Sequence, residues 1–478
     1  MNNLDTTKSK KLSLRSESQT KGVKTLLGDP KKAILKLAIP MIVAMSFNTI
    51  YNLVDALWVS GLEGGLRAVG FFFPFFFMAM AIAVGIGTGG GAAISRKIGA
   101  KDKSGADNVA VHTILIMVIS AIIFTIPFLI FIREIFIIIG AGDVIDLVVS
   151  YGRIIIAGSI ILFFTMVAST ILRSEGDANR AMYMMMVGAI LNIILDPIFI
   201  FTFGYGVAGA AIATIISMSI TALIMVNWLF FKKDTYVSFN FRNFHWDKKI
   251  VKDISNVGLP ASVQQLSMAF TTLIMNIIIV TIEKPNGVGI ETYTAGWRVV
   301  TIGILPLLGI ATAVISVTGA AYGAKDFAKL KTSFMYAVKL GFIIELVVAT
   351  ATFLLAPYIA TVFSLREGAL ELRNELTIFL QVIFLFYPTV AFGMFSSSMF
   401  QGTGKGINAL IVTIWRTIIL APPFALLFSV VFNMGLLGIW LGLVVANITG
   451  SITAFSWARI YLKRLKADFE RSKKNPEL

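Results

Sequence analysis

Three acidic residues stand where a carboxylate is expensive. Asp55, Asp196 and Glu345 each fall well inside a long apolar stretch, and an ionisable group inside a membrane span is functional by default. Asp55 ends the polar series of SFNTIYNLVDALWVSG. There Asn48, Tyr51, Asn52 and Asp55 are spaced i, i+3, i+4, i+7 and so share one helix face. Asn192 and Asp196 in LNIILDPIFIF are four apart and also share a face, and Pro197 follows at once, so the helix can kink there and free a carbonyl. A carboxyl in a low-dielectric cavity favours its neutral form, and two close together cannot both ionise cheaply. That is the requirement of a proton carrier: Asp55, Asn192, Asp196 and Tyr51 form the candidate coupling site for H⁺. The competing role is hydrogen-bonded glue between helices. Glu345, in LGFIIELVVAT, has no polar neighbour at helical spacing on its C-terminal side. A second proton site and a lone acid kept protonated are equal readings of it.

The remaining chemistry is neutral. Cysteine is absent and only His112 and His245 occur, which excludes thiol catalysis and disulfides and disfavours a metal centre. No nucleophile or acid–base constellation appears, so neither an enzyme nor a cofactor is expected. Gln264, Gln265, Met268, Thr271 and Met275 line one helix, and Met184–Met186 crowd another. Methionine adapts to varied partners. Asn48, Asn52, Ser169, Met185, Gln264, Met268 and Met275 are the candidate substrate contacts, with plain apolar packing the competing and favoured reading of the methionines. GIGTGGGAA at 85–93 lacks the strand and Lys of a phosphate loop and reads as close helix packing.

These residues need helices to hold them. The 478 residues are 57% hydrophobic and 14% charged, where a soluble domain carries about 25% charge. The apolar content supplies roughly 12 crossings of about 22 residues. This excludes a soluble enzyme, a secreted protein and a single-pass receptor, and the unbroken runs exclude a β-barrel. Spans are expected near 33–60, 68–95, 108–132, 144–172, 181–203, 207–231, 250–282, 288–321, 332–357, 372–400, 407–432 and 435–461. The first is too long for a signal-peptide core and should remain as a membrane helix. Of 41 Lys and Arg, 31 fall in the tails and in alternate loops. Both termini are then cytoplasmic in a multi-pass protein of the cell membrane. The net charge of +15 belongs to this bias rather than to nucleic acid.

The halves repeat. Pro40 matches Pro260, "GAKD" recurs at 99–102 and 323–326, Gly176 pairs with Gly404, Gly209 with Gly438, and Trp228 with Trp457. The offset grows slowly, in order, from 220 to 229. Six crossings per half make the repeats parallel, a transporter architecture with alternating access. The expected organisation is an N-terminal tail (1–32), an N lobe (33–231), a basic and aromatic link (232–252) lying on the inner surface, a C lobe (253–461) and a C-terminal tail (462–478). Carried through the offsets, Asp55 lands on Met275, Asn192 on Leu420 or Ala421, and Asp196 on Phe424 or Ala425. Ion coupling should belong to the N lobe alone.

The chain resembles the multidrug and toxic compound extrusion (MATE) family, in particular its DinF-type branch and archaeal members. GDPKKAILKLAIPM, YNLVDALWVSG, ILRSEGDANRAM, LNIILDPIFIFTFGYGVAGAAIAT and SMFQGTGKG carry the resemblance, which runs from about residue 22 to 465. It implies an all-α membrane protein of twelve helices in two six-helix lobes. It also implies efflux of amphiphilic, often cationic compounds driven by inward H⁺ or Na⁺, with Asp55, Asn192 and Asp196 matching the family's N-lobe cation site. Pro40 gives the first helix a place to bend. Where relatives carry Asn on the fourth helix, this chain has Met166 and Ser169, a smaller polar network. The acidic pattern of NorM-type C lobes is absent. A flippase of lipid or lipid-linked substrates is the alternative within the same superfamily. It would want a cationic cavity, for which only Arg153, Arg298, Arg416 and Lys339 offer charge. The protein is expected to act as a monomer. The charge bias predicts that a single cysteine at Ser13, in a chain with none of its own, is labelled by an impermeant maleimide only in inside-out vesicles; labelling of intact cells would reverse the assignment.

Overall fold

Apolar chain in lipid can satisfy its backbone only internally, and it does so here as helix. The computed structural model describes residues 20–232, 234–239, 244–283, 287–364 and 369–474, and among these there is no strand. Most of the N-terminal tail, Ser13 included, and part of the link lie outside them. Eleven helices are long and apolar enough to cross a membrane, and a pair bent by 49° makes the twelfth. They are α1 (Pro30–Ser60), α2 (Gly65–Gly99), α3 (Lys103–Ile138), α4 (Ile145–Ala157 and Ser159–Ser174), α5 (Ala178–Thr202) and α6 (Gly206–Phe231). After the link come α7 (Lys248–Ile282), α8 (Gly289–Gly303 and Leu305–Gly323), α9 (Phe327–Phe363), α10 (Leu370–Gly402), α11 (Gly406–Val431) and α12 (Gly435–Lys474). The halves form two six-helix lobes.

The sequence read 288–321 as one span, but α8 breaks at Ile304. Pro306 lacks an amide and disfavours helical geometry just before it. α5 widens into a π turn after Pro197, over Ile198–Thr202, as the freed carbonyl allows. α12 runs on as helix to Lys474.

The duplicated motifs are turns. In both copies of GAKD the lysine takes a left-handed φ, +59° at Lys101 and +53° at Lys325. The aspartate then caps the next helix, Asp102 accepting from Gly105 N and Asp326 from Lys329 N. Gly176 and Gly404 share a positive φ of 89° and 82°, which only glycine adopts cheaply. The GAKD glycines also form the seam between the lobes. A Cβ on Gly99 would fall on the carbonyl oxygen of Ala320, and one on Gly323 on that of Arg96, residues related by the same offset of 224. Gly89 likewise faces the carbonyl of Ile254, and Gly309 faces Ile42 and Ala38. So α2 packs on α7 and α8, and α8 on α1. Arg96 crosses the seam, binding Asp253 Oδ1 at 2.8 Å and Gly402 O at 3.1 Å.

The described residues of the link before Lys248 form no helix beyond the end of α6, and they are strapped to the first lobe. Glu175 Oε2 accepts from Val237 N (2.9 Å), Asp107 Oδ1 from Ser238 N (2.7 Å), and Arg180 grips Asp234 through two bonds. His112 Nε2 accepts from Asp247 N at 3.0 Å while Nδ1 donates to Asn108 O at 2.8 Å, which fixes a neutral tautomer. Its ring packs on Phe244 and Trp246. Glu175 sits in the turn between α4 and α5 and is 2% exposed. Burial pushes its carboxyl up to about 8, against the opposing pull of the Val237 amide. Because the folded value lies above the ordinary 4.5, its contribution to stability falls as pH rises through that interval. Glu175→Gln keeps the acceptor and removes the charge. Its gain in thermal midpoint over the parent should therefore widen from pH 5 to pH 8 and level off beyond, as read by thermal unfolding in detergent. A gain independent of pH would show that Glu175 is ionised throughout.

Candidate functional site

The contact of α1 with α5 brings the two polar faces of the first lobe together. Asp196 is fully buried and Asn192 is 2% exposed. Asp55 and Asp196 stand close enough to share a hydrogen bond. Asn192 lies one turn before Asp196 on α5 and touches both that carboxyl and Thr214 of α6. Its amide nitrogen donates to Asp196 Oδ2 at 2.8 Å and its amide oxygen accepts from Thr214 N at 3.2 Å. Thr214 in turn donates to Ala210 O at 2.9 Å. The Tyr51 phenol meets Thr214 beside both aspartates, and Tyr151 of α4 stands in the same field. Thr214 and Tyr151 went unnoticed in the sequence. Neither stands out from the other polar residues of its helix, such as Ser150 and Arg153 on α4 or Ser217 and Thr221 on α6, and only packing reveals it.

A cavity of about 520 Å³ lies between the lobes. Tyr51, Asn192 and Thr214 stand on its wall, whereas Asp55 and Asp196 do not. The buried Asp196 carboxyl touches that wall through Asn192. Of the candidate substrate contacts, Asn48, Ser169, Met185, Gln264 and Met268 line the cavity. Two do not. Asn52 points outward and donates to Asn48 Oδ1 at 3.2 Å. Met275 has no exposed surface and belongs to the core of the second lobe; eleven residues beyond Gln264 keep it on the same face but move it about 16 Å along the axis, past the cavity. Gln264 is held firmly, donating to Ala409 O at 2.7 Å and accepting from Gln401 Nε2 at 2.7 Å. Nine methionines share the wall. Pro40 is buried in an unbroken α1, toward the seam.

The second lobe holds no matching site. Met275, Ala421 and Ala425, the counterparts of Asp55, Asn192 and Asp196, pack into one hydrocarbon cluster together with Leu443, the counterpart of Thr214 at an offset of 229. Glu345 on α9 is fully buried, and neither carboxyl oxygen has a partner among the described residues. No group of three or more His, Asp or Glu able to hold a metal occurs among the described residues.

Two parallel six-helix lobes enclosing a cavity, with paired carboxyls beside its wall in the first, define a membrane transporter rather than an enzyme. The MatE family model matches residues 40–198 and 260–427, once in each half and with the offsets of the internal repeat. The chain belongs to this family, the MATE multidrug efflux transporters. The multidrug export protein MepA of Staphylococcus aureus is 27% identical over 445 residues, 91% of this chain and 95% of that protein. A Pyrococcus furiosus structure, described as a MOP superfamily transporter whose binding pocket has reverse polarity, suggesting a different function, is 46% identical. It superposes with a TM-score of 0.91 over 94% of this chain and all of that one. A structure described as the outward-facing conformation of a multidrug resistance MATE family transporter gives the same identity, TM-score and coverage.

Glu345 lies outside the cavity wall and apart from the carboxyl pair. Glu345→Gln should therefore keep at least about a third of the initial rate of fluorescent-dye uptake into inverted vesicles at equal protein level. A dead Glu345→Gln protein of normal abundance would move the coupling site into the second lobe.

Proposed function

We propose that the protein is a secondary active efflux antiporter of the cell membrane, acting as a monomer with both termini cytoplasmic. In this reading it exports amphiphilic compounds in exchange for H⁺ or Na⁺ by alternating access. The family resemblance adds cations as the usual cargo. The reading rests on the boundaries expected from the sequence, an N lobe over 33–231 and a C lobe over 253–461, moving about the seam of α1, α2, α7 and α8.

The observation that carries it is the pairing of the partly exposed Asp55 with the fully buried Asp196, with Asn192 linking Asp196 to the cavity wall. When Asp196 is ionised, Asn192 presents its amide nitrogen to the carboxylate. When Asp196 takes a proton, the charge-assisted bond from Asn192 is lost and the hold of the carboxyl on that amide weakens. Thr214 and Tyr51 stand on the cavity wall, so occupancy of the carboxyl site is passed to the surface that meets the cargo. Na⁺ would engage the same oxygens, with Asp55, Asp196 and Asn192 as its hard ligands. Pro40 supplies α1 with a point of bending between the seam and Asp55.

Asp55→Asn and Asp196→Asn should each abolish gradient-driven export while leaving the protein folded, because an amide can neither take up and release the proton nor neutralise Na⁺. The check is dye movement in proteoliposomes under a pH gradient and a Na⁺ gradient imposed separately. Near-normal export by either variant under the active gradient would end this assignment.

A further inference from the structure

Among the described residues neither aspartate of the coupling pair reaches the cavity, no carboxylate lines it, and the charged lining groups are two guanidiniums, Arg173 at the end of α4 and Arg416 in α11. Among the described residues neither forms an ion pair. Arg173 donates to the Thr170 hydroxyl on its own helix. Arg416 reaches only Asn447 Oδ1, at 3.5 Å. Uncompensated cations inside a membrane protein are costly, yet the fold makes room for Arg416. A Cβ on Gly393 would come within 3.0 Å of its Nη1, and one on Gly450 within 2.7 Å of its side-chain stem. α11 is also widened into a π turn over Trp415–Leu420, a distortion concentrated at functional sites. By the repeat offset of 228 the counterparts are Gln401 for Arg173 and Gly188 for Arg416, both on the cavity wall. The charges are therefore not inherited in pairs; each half acquired its own.

We propose that the cavity takes amphiphiles bearing an oxyanion, with Arg173 and Arg416 holding a phosphate, sulfate or carboxylate head and the methionine wall holding the apolar body. A guanidinium binds such heads through directed, charge-assisted hydrogen bonds, and methionine adapts to whatever apolar shape accompanies them. The neutral Gln264 and Gln401 leave the head group's specificity to the two arginines. This rests on the reading of the cavity as the transport site and replaces the expectation of cationic cargo. A lipid head group and a free anionic amphiphile offer the same chemistry.

The test is equilibrium binding with no gradient, using full-length protein in phosphatidylcholine nanodiscs and empty discs as reference. The probes are 1-anilinonaphthalene-8-sulfonate as anion and ethidium as cation. The parent should bind the sulfonate more tightly than ethidium. Arg173→Gln and Arg416→Gln should each weaken the sulfonate about tenfold, about 1.4 kcal/mol, with the lysine substitutions losing less and ethidium unchanged. Displacement by dioctanoyl phosphatidylglycerol assigns the site to lipid head groups; displacement by decyl phosphate alone assigns it to free amphiphiles. Tighter ethidium binding by the parent, no effect of either glutamine variant, or no displacement by either competitor overturns the proposal. The preference of the parent decides the matter even where a variant fails to fold. Because binding is read with no gradient, while Asp55→Asn and Asp196→Asn are read by gradient-driven export, a failure of ion coupling and a failure of the anion site are read separately.

Discussion

The architecture depends on how closely two helices can approach at one end of the bundle. Gly99 and Gly323 let α2 and α8 meet backbone to carbonyl, and any side chain there would force the lobes apart. Close packing of small residues is how membrane helices gain contact where lipid removes the usual hydrophobic drive. Once the lobes are pinned at this seam, the remaining interlobe space becomes the cavity. The Arg96 bridge to Asp253 and Gly402 ties the same end with charge. The cavity, the carboxyl pair beside its wall and the two arginines upon it take their positions from that single contact.

Duplication supplied two equal scaffolds, and chemistry then broke the symmetry. The turns and the seam keep both copies of their motifs because each lobe must still enter and leave the membrane and still face its partner. The polar interior was free to diverge. One lobe keeps Asp55, Asn192, Asp196 and Thr214, while the other fills the same positions with Met275, Ala421, Ala425 and Leu443. Negative groups are kept off the wall and positive ones are set on it. In the proposed reading ion and cargo occupy separate sites, so that neither neutralises the other, and Asn192, Thr214 and Tyr51 connect them.

Much of this was legible in sequence because periodicity and position carry it. The twelve spans, the repeat, the shared face of Tyr51 and Asp55 and the pairing of Asn192 with Asp196 all follow from local spacing. What sequence hid was proximity between segments far apart. Tyr151 and Thr214 look like stray polar residues until α4 and α6 close around Asp196. Arg173 counts as a loop charge by its neighbours Glu175 and Asp177, yet its helix carries it to the cavity wall. Met275 and Asn52 show the opposite error. A face assigned by angle alone ignores depth, and a residue three turns farther along the same face meets different neighbours.

The strapped link constrains how the lobes can part. Asp107, Glu175, Arg180 and His112 all belong to the first lobe, and together they fasten the connection up to Asp247, one residue before α7 begins. The tether therefore has no slack to pay out. At this end the second lobe is held by the seam contacts and by a covalent junction without slack, and α7 cannot translate away from α3 while the strap is intact. Opening of the seam is restricted to rotation about that junction, as a door turns on its hinge post, with the distance travelled growing toward α8 and α9.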